Sequence, residues 1–407
     1  MRRIKDFMAG IFEVYCREFK LISHDMGLIL FLTFLPLAYP VIYSLIYNPE
    51  LVKEVPMVVV DNDRTPLSRE LVRNLNACDE VWVRGYAANL GEARHAMDSH
   101  KCYAILEIPE GFERKVGRTE TADAAMYCDM SLLLRYRGFL VAATDVMQEM
   151  GSELLTKDLN RIAPLAETIA TGDLLPIDNI SMGNIRNGFD SFIMPGVLIL
   201  ILHQCIVLAI GMSGGARREL RLPYGYNPRS GSRFTAGWML GQSLCLFTIL
   251  FIPTIYMIHY VPLMFSFPMA GNLLEELAFL LPMALACFGM GFVFQAFVTE
   301  REAVFLNWVV TSILFLLLSG LIWPRYDMYG VWKALSDICP STWGVEGFVK
   351  MNSNGATLGQ VSHEYIMLWI LAAGWLLAGY CAQRWVVAPS IIKSLSRENE
   401  TVRENIV

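Results

Sequence analysis

Two acids two positions apart, Asp61 and Asp63, close the apolar run in VVVDNDRTPLSREL (58–71). A carboxylate pair at a strand end is where many α/β enzymes place acid–base or metal chemistry. The same stretch also has a structural reading. Asp61, Asn62 and Asp63 suit a turn, and Thr65 with Pro66 suits the cap and first position of a following helix. The topology derived below favours this second reading, because it sets the pair outside a membrane, beyond the reach of a cytoplasmic partner.

No other stretch offers recognisable reaction chemistry. GxxxxGK[ST], HExxH, GxSxG and the EF-hand pattern are all missing from the sequence, so no nucleotide, zinc-protease, hydrolase or calcium site is expected. The expectation is therefore no catalytic, cofactor-binding or metal site in this chain. Within the apolar runs, His203 and Gln204 of LILILHQCIVL are the most notable polar residues, with Gln242, Gln295 and Asn307 as milder cases. Intramembrane polar groups face a bundle interior or a wet cavity. They serve either interhelical hydrogen bonding or, for His203, a proton or substrate role. The stretch IGMSGGARRELRLPYGYNPRSGSRF (210–234) is the other candidate. Gly211, Gly214 and Gly215 are expected to end a crossing, after which ARREL offers a short charged helix that Pro223 stops. Such a helix either docks a soluble partner or anchors the chain at an interface.

The elements that carry these residues follow from composition. The chain has 407 residues, 54% hydrophobic and 18% charged, with mean hydropathy +0.41. That is more apolar surface than one soluble core hides, so a membrane must take the excess. A bilayer core about 30 Å thick needs roughly 20 apolar residues per helix. Charge-free windows meet this at six places, with crossings expected near 28–47, 190–212, 235–259, 276–298, 303–322 and 365–386. Pro36, Pro40, Pro195, Pro253 and Pro282 each remove a backbone donor within them, so kinks are expected there. Gly237 with Gly241, and Gly289 with Gly291, would let helices approach closely.

Lys and Arg concentrate on cytoplasmic loops. Arg2, Arg3, Lys5, Arg17 and Lys20 precede the first crossing; Arg217, Arg218, Arg221, Arg229 and Arg233 follow the second; Arg384, Lys393, Arg397 and Arg403 close the chain. All three groups fall on one side, which makes both termini cytoplasmic and sets 48–187 outside. The first apolar run lacks a small-residue cleavage site and reads as a retained helix. The net charge of -6 does not indicate nucleic acid.

Segment 48–187 reads as a domain. VPMVVV (55–60), VWVRGY (81–86), CYAILEI (102–108) and AAMYC (124–128) are β-rich, and amphipathic runs at 66–77, 89–100 and from Glu110 separate them, giving a mixed sheet in a small α/β domain. A long helix follows, in which Leu133, Tyr136, Leu140, Ala143, Met147, Met150 and Leu154 step by three and four. That stripe packs on the domain's own sheet or, alternatively, meets a partner. Stretch 172–188 is the linker back to the membrane. Nine cysteines show no zinc-type spacing. Those inside the apolar windows are small apolar fillers, whereas Cys78, Cys102, Cys128 and Cys339 face an oxidising space where a disulfide can form.

At the N-terminus, Ile4, Phe7, Met8, Ile11, Tyr15, Phe19 and Ile22 recur at helical spacing among basic residues, describing an interfacial helix over 1–27. Trp323, Tyr326, Tyr329, Trp332 and Trp343 suit the outer headgroup region. The fold class is thus an α-helical integral membrane protein of six transmembrane helices, with an extracytoplasmic α/β domain inserted between the first and second. Residues 188–387 form the main transmembrane domain and 388–407 a cytoplasmic tail.

Several segments in this order resemble the permease subunit of bacterial type-2 ABC transporters, in the multidrug-exporter-like branch. They are VVVDNDRTPLSREL; AILEIPEGFERKV with its turn at Ile108, Pro109, Gly111 and Phe112; SFIMPGVLILILHQ followed by IGMSGGARRE; and the stretch from LLLSGLIWPRYDMYG to MNSNGATL. The resemblance implies a permease of the bacterial inner membrane that exports a hydrophobic or amphipathic small molecule. It implies that Arg217, Arg218 and Glu219 form a coupling helix against a separate ATP-binding subunit, with ATP and magnesium held there and no cofactor in this chain. A second permease copy or sister permease, a periplasmic adaptor and membrane lipid are the other partners expected, and the intramembrane polarity of His203 and Gln204 makes them the candidates for the translocation path. The family often has Gly-Thr after the Arg-Glu step, where Leu220, Arg221, Leu222 and Pro223 stand here. The rival function is a membrane-anchored extracytoplasmic sensor or assembly scaffold without transport.

Overall fold

The computed structural model describes residues 2–47, 52–118, 120–131, 133–162, 183, 184, 188–219, 232–298, 301–387 and 389. The chain divides into two compact units: Pro49–Ile180, and Met1–Asn48 together with Ser181–Val407.

In the first unit each β-rich run forms a strand: β1 (Val55–Asp61), β2 (Val81–Tyr86), β3 (Ala104–Ile108) and β4 (Ala125–Cys128). Their order is β2-β1-β3-β4, with β1 parallel to β2 and β3, and β4 antiparallel to β3. Strand β1 is central and apolar on both faces, as a strand covered on both sides must be. Met57 and Val59 join a core with Leu71 and Leu75 of α1 (Pro66–Ala77) and Phe139 of α4 (Leu133–Ile162). Val58 and Val60 join Ala93 of α2 (Leu90–Asp98) on the opposite face. The short helix α3 (Phe112–Val116) precedes β4. Helix α4 packs on its own unit's core, with Ala143, Met147, Met150 and Leu154 of the expected stripe in that core or against it. Phe139, Ala142, Ala143, Val146 and Met150 are buried, whereas Leu133 and Leu140 of the expected stripe are exposed. Both faces carry apolar residues at helical spacing, and periodicity alone does not choose between Phe139 and Leu140.

The second unit is helical. Among the described residues, an amphipathic helix, αN (Arg2–His24), precedes five helices long and apolar enough to cross a membrane. These are α5 (Met26–Tyr47), α6 (Phe189–Glu219), α7 (Thr235–Phe265), α8 (Leu273–Phe297) and α9 (Ser362–Val387). The sixth expected crossing, at 303–322, forms a shorter helix, α10 (Arg301–Leu318), whose apolar part is Ala303–Leu318. Helix α6 occupies the centre and is buried along most of its length. Its extent corrects one expectation. Gly211, Gly214 and Gly215 do not end it; the helix runs on through Arg217 and Arg218 to Glu219. Neighbours hold these turns helical, with Gly211 against Val304 and Gly214 against Gln295. Tertiary packing thereby outweighs the helix propensity of glycine. Stretch 220–231, including the rest of the expected charged helix, lies outside the described residues, as does most of the linker 172–188.

Helices α8 and α9 cross closely. A Cβ at Gly289 would lie 2.4 Å from the backbone nitrogen of Leu376, so only glycine fits. Between α10 and α9, two short helices, α11 (Gly330–Ile338) and α12 (Pro340–Asn354), lead back. Helix α12 is largely buried. Trp343 is therefore not a headgroup anchor: it is 5% exposed, and its indole N–H donates to the Asp337 carbonyl at 3.0 Å. Trp323, Tyr326, Tyr329 and Trp332 are exposed. The Arg325 guanidinium lies 4.0 Å above the Trp343 ring and pairs with Asp337 and Glu346. Lys350 bridges Glu346 and Glu364 at 3.1 and 2.6 Å, tying α12 to α9.

Candidate functional site

The acid pair is a structural device. Asp61 Oδ1 accepts the N–H groups of Asp63 and Arg64 at 3.1 and 2.8 Å, and Oδ2 accepts the Ser68 hydroxyl at 2.8 Å. Asp63 reaches across to α3. Its Oδ1 accepts the N–H groups of Gly111 and Phe112, and its Oδ2 those of Glu113 and the Thr65 hydroxyl, all within 3.1 Å. Burial pushes the Asp63 carboxyl up, but the Thr65 hydroxyl and the three backbone N–H groups outweigh it and hold the group below its usual range. Thr65 and Ser68 form a reciprocal capping box on α1, with Pro66 in its first turn. Among the described residues no group of three His, Cys, Asp or Glu side chains could hold a metal ion. The nine cysteines are free thiols.

The charged end of α6 is built into the bundle. Arg217 is 3% exposed and pairs with Glu18 of αN, which is fully buried. The Arg217 Nε donates to Glu18 Oε1 at 2.8 Å, and the Ser213 hydroxyl, one turn earlier, donates to Oε2 at 2.7 Å. The guanidinium also stacks over Trp238 of α7 at 4.5 Å. Helix αN reaches this position because α7 offers Gly241, where a Cβ would stand 2.8 Å from the Ile11 carbonyl oxygen. Ile11, Val14, Glu18 and Ile22 thus form one buried face of αN, whereas Met8, Phe12 and Phe19 are exposed. The apolar residues of this helix therefore split between bundle and surroundings, and the expected Phe19 lies on the outer side.

Further hydrogen bonds carry the same level across the bundle. Gln295 of α8 donates to the Ile210 carbonyl of α6 at 2.8 Å. Gln383, in the π-helical turn that ends α9, donates to Gln295 Oε1 and to the Phe292 carbonyl, each at 2.9 Å. Arg218 donates to the Val298 carbonyl at the end of α8. Glu219 is exposed. Of the three residues expected to meet a partner, Arg217 instead binds within the chain, Arg218 is partly buried, and Glu219 is at the surface. Glu18, Ser213 and Gln383 were missed from the sequence.

His203 and Gln204 lie in the same helix, about 21 Å from Arg217 at 1.5 Å per residue. Both are buried. Neither ring nitrogen of His203 and neither amide atom of Gln204 has a hydrogen-bond partner among the described residues. The His203 ring stacks on Phe315 of α10, with centroids 4.7 Å apart. The interhelical hydrogen bonds expected for this pair are thus not made, and the two candidate sets occupy different levels of one helix.

A family model for the ABC-2 family transporter protein matches residues 26–381, which run from the start of α5 into α9 and take in the α/β unit. The chain belongs to the ABC-2 transporter family. It is a multi-pass membrane protein and a permease subunit of an ABC transporter, a subunit type that lacks the ATPase domain, and its family implies an ATP-binding partner. The curated proteins contain no match to it. For an ABC-2 permease, the joint between αN and α6 is the structural feature that most needs a functional account.

Proposed function

We propose that this permease exports a hydrophobic or amphipathic molecule, and that a separate ATP-binding subunit drives it by acting on αN and the end of α6 together. The supporting observation is the buried contact of Glu18 with Arg217 and Ser213. A push on the amphipathic helix or on the end of α6 at Glu219 would reach the centre of the bundle through that joint, and α8 and α9 through Gln295 and Gln383. In this reading both termini are cytoplasmic, as the Lys and Arg distribution favours, and the α/β unit faces outward, where a periplasmic adaptor would meet it. ATP and magnesium belong to the partner subunit. Two permeases, identical or sister chains, rock about a shared interface to give alternating access. His203 and Gln204, buried without hydrogen-bond partners among the described residues, are the polar contacts assigned to the path.

The test is reconstitution with a co-purified ATP-binding subunit and ATP-dependent movement of a fluorescent amphipathic dye across the vesicle membrane. Reversing Arg218 and Glu219 (R218E/E219K) should lower coupled ATPase activity severalfold. Unchanged association and turnover would sink the coupling site; a bound, active ATPase with no dye movement would sink export.

A further inference from the structure

A groove runs between α6, α7 and α8 within the membrane-length helices. Its floor is Leu202 and Ile206 of α6, Leu250 of α7 and Ala284 of α8, none more than 9% exposed, whereas Phe247 and Phe251 at its rim are 37% and 43% exposed. The surface is therefore a recess that opens away from the bundle. It stays open because α7 packs chiefly on αN and touches α6 only sparsely. Its one polar side chain, Thr254, donates its hydroxyl to the Leu250 carbonyl at 2.8 Å, which leaves no donor for water. An apolar recess of this kind does not hold ordered water.

We propose that this groove is a binding site for a single hydrocarbon chain, the acyl tail of a bilayer lipid. The recess encloses about 480 Å³ including its mouth. The alternative occupant is a helix from a second copy. Close helix association needs small residues at the contact, and the rim is Phe247, Phe251 and Leu281. A flexible chain of methylenes matches the lining, which is apolar apart from Thr254. The rim continues into the exposed apolar surface of α7, a membrane-length helix, at Leu244 and Ile252, and the proposal takes its occupant from the bilayer that such a helix crosses. A chain seated there lies directly against Leu202, next to His203, on the helix that carries Arg217. This site depends on the membrane location and not on the export reading.

The full chain, reconstituted in phosphatidylcholine vesicles with a trace of a phospholipid carrying a mid-chain diazirine, tests the proposal by photolysis and peptide mapping. Labelling at 247–254 and 277–288 should exceed that on the outer face of α10, at Val309, Ile313 and Leu317, by about fivefold. A284W, which fills the floor, should remove that excess and leave α10 labelling unchanged; L281W, at the rim, serves if A284W does not fold. Equal labelling of the two faces, or an excess that persists in whichever filled variant folds, would overturn the site. So would efficient disulfide formation between copies through F251C, which would make a second chain the occupant.

Discussion

Glu18→Gln should destabilise the helical unit far more than any neighbouring surface change in αN. The side chains of Glu18 and Arg217 are 0% and 3% exposed and 2.8 Å apart, so the substitution leaves a buried guanidinium without its counter-charge. Removing one partner of such a pair costs about 3 to 5 kcal/mol. Arg217→Met alone strands the carboxylate, with only the Ser213 hydroxyl still donating to it, and should cost a similar amount. The double variant E18Q/R217M removes both charges and keeps much of the volume, so its cost should fall well short of the sum. A coupling energy of about 2 kcal/mol or more is expected, within the range seen for residues sharing one network. Reversible thermal or denaturant unfolding of the detergent-solubilised chain measures all three variants, and coupled ATPase activity of the reconstituted complex provides the functional readout. Additivity within about 0.5 kcal/mol would refute the linkage. Normal stability but lost ATPase response in the double variant would instead locate the effect in transmission.

Other substitutions test particular contacts. Phe139→Ala should cost the α/β unit about 3 to 5 kcal/mol, while Leu140→Ala, 41% exposed, should change unfolding little; the opposite order would restore the expected register. The Asp63 carboxyl is held below its unfolded value, so its contribution is fully present above that value, 3.8, and is lost as pH falls through the lower folded one. Asp63→Asn should abolish that part of the acid dependence, which pH-dependent unfolding followed by circular dichroism would detect. Arg325→Lys cannot reproduce planar pairing with Asp337 and Glu346 or stacking on Trp343, and should lower stability by about 1.5 to 3 kcal/mol. Gly289→Val would drive side-chain atoms into the backbone of α9, so sharply reduced yield of folded protein is expected on size exclusion.

Local signals were the legible ones. Strand runs bounded by turn residues, the Thr65–Pro66 cap and the long charge-free windows each follow from a few neighbouring residues, and the structure forms an element at each. Readings that depended on distant packing fared differently. Glycine at 211, 214 and 215 reads as a helix end until Val304 and Gln295 are placed against it. Trp343 reads as an interfacial aromatic until Arg325 covers its ring. In the first half of α4 the core takes Phe139 and not the expected Leu140, a choice that spacing alone does not make.

Glu18 shows why the candidate site was harder to read than the fold. It follows Arg17 in a basic, amphipathic helix and therefore looks like one more solvated charge. Its partner Arg217 lies 199 positions away, at the end of an apolar helix, where a positive charge is already explained by membrane orientation. Each residue has a satisfactory local explanation, so neither points to the other. Only when Gly241 brings αN onto α7 does the carboxylate meet Arg217 in a buried position. A buried charge needs a partner there, and that requirement turns two ordinary surface assignments into one joint between an amphipathic helix and the centre of the permease.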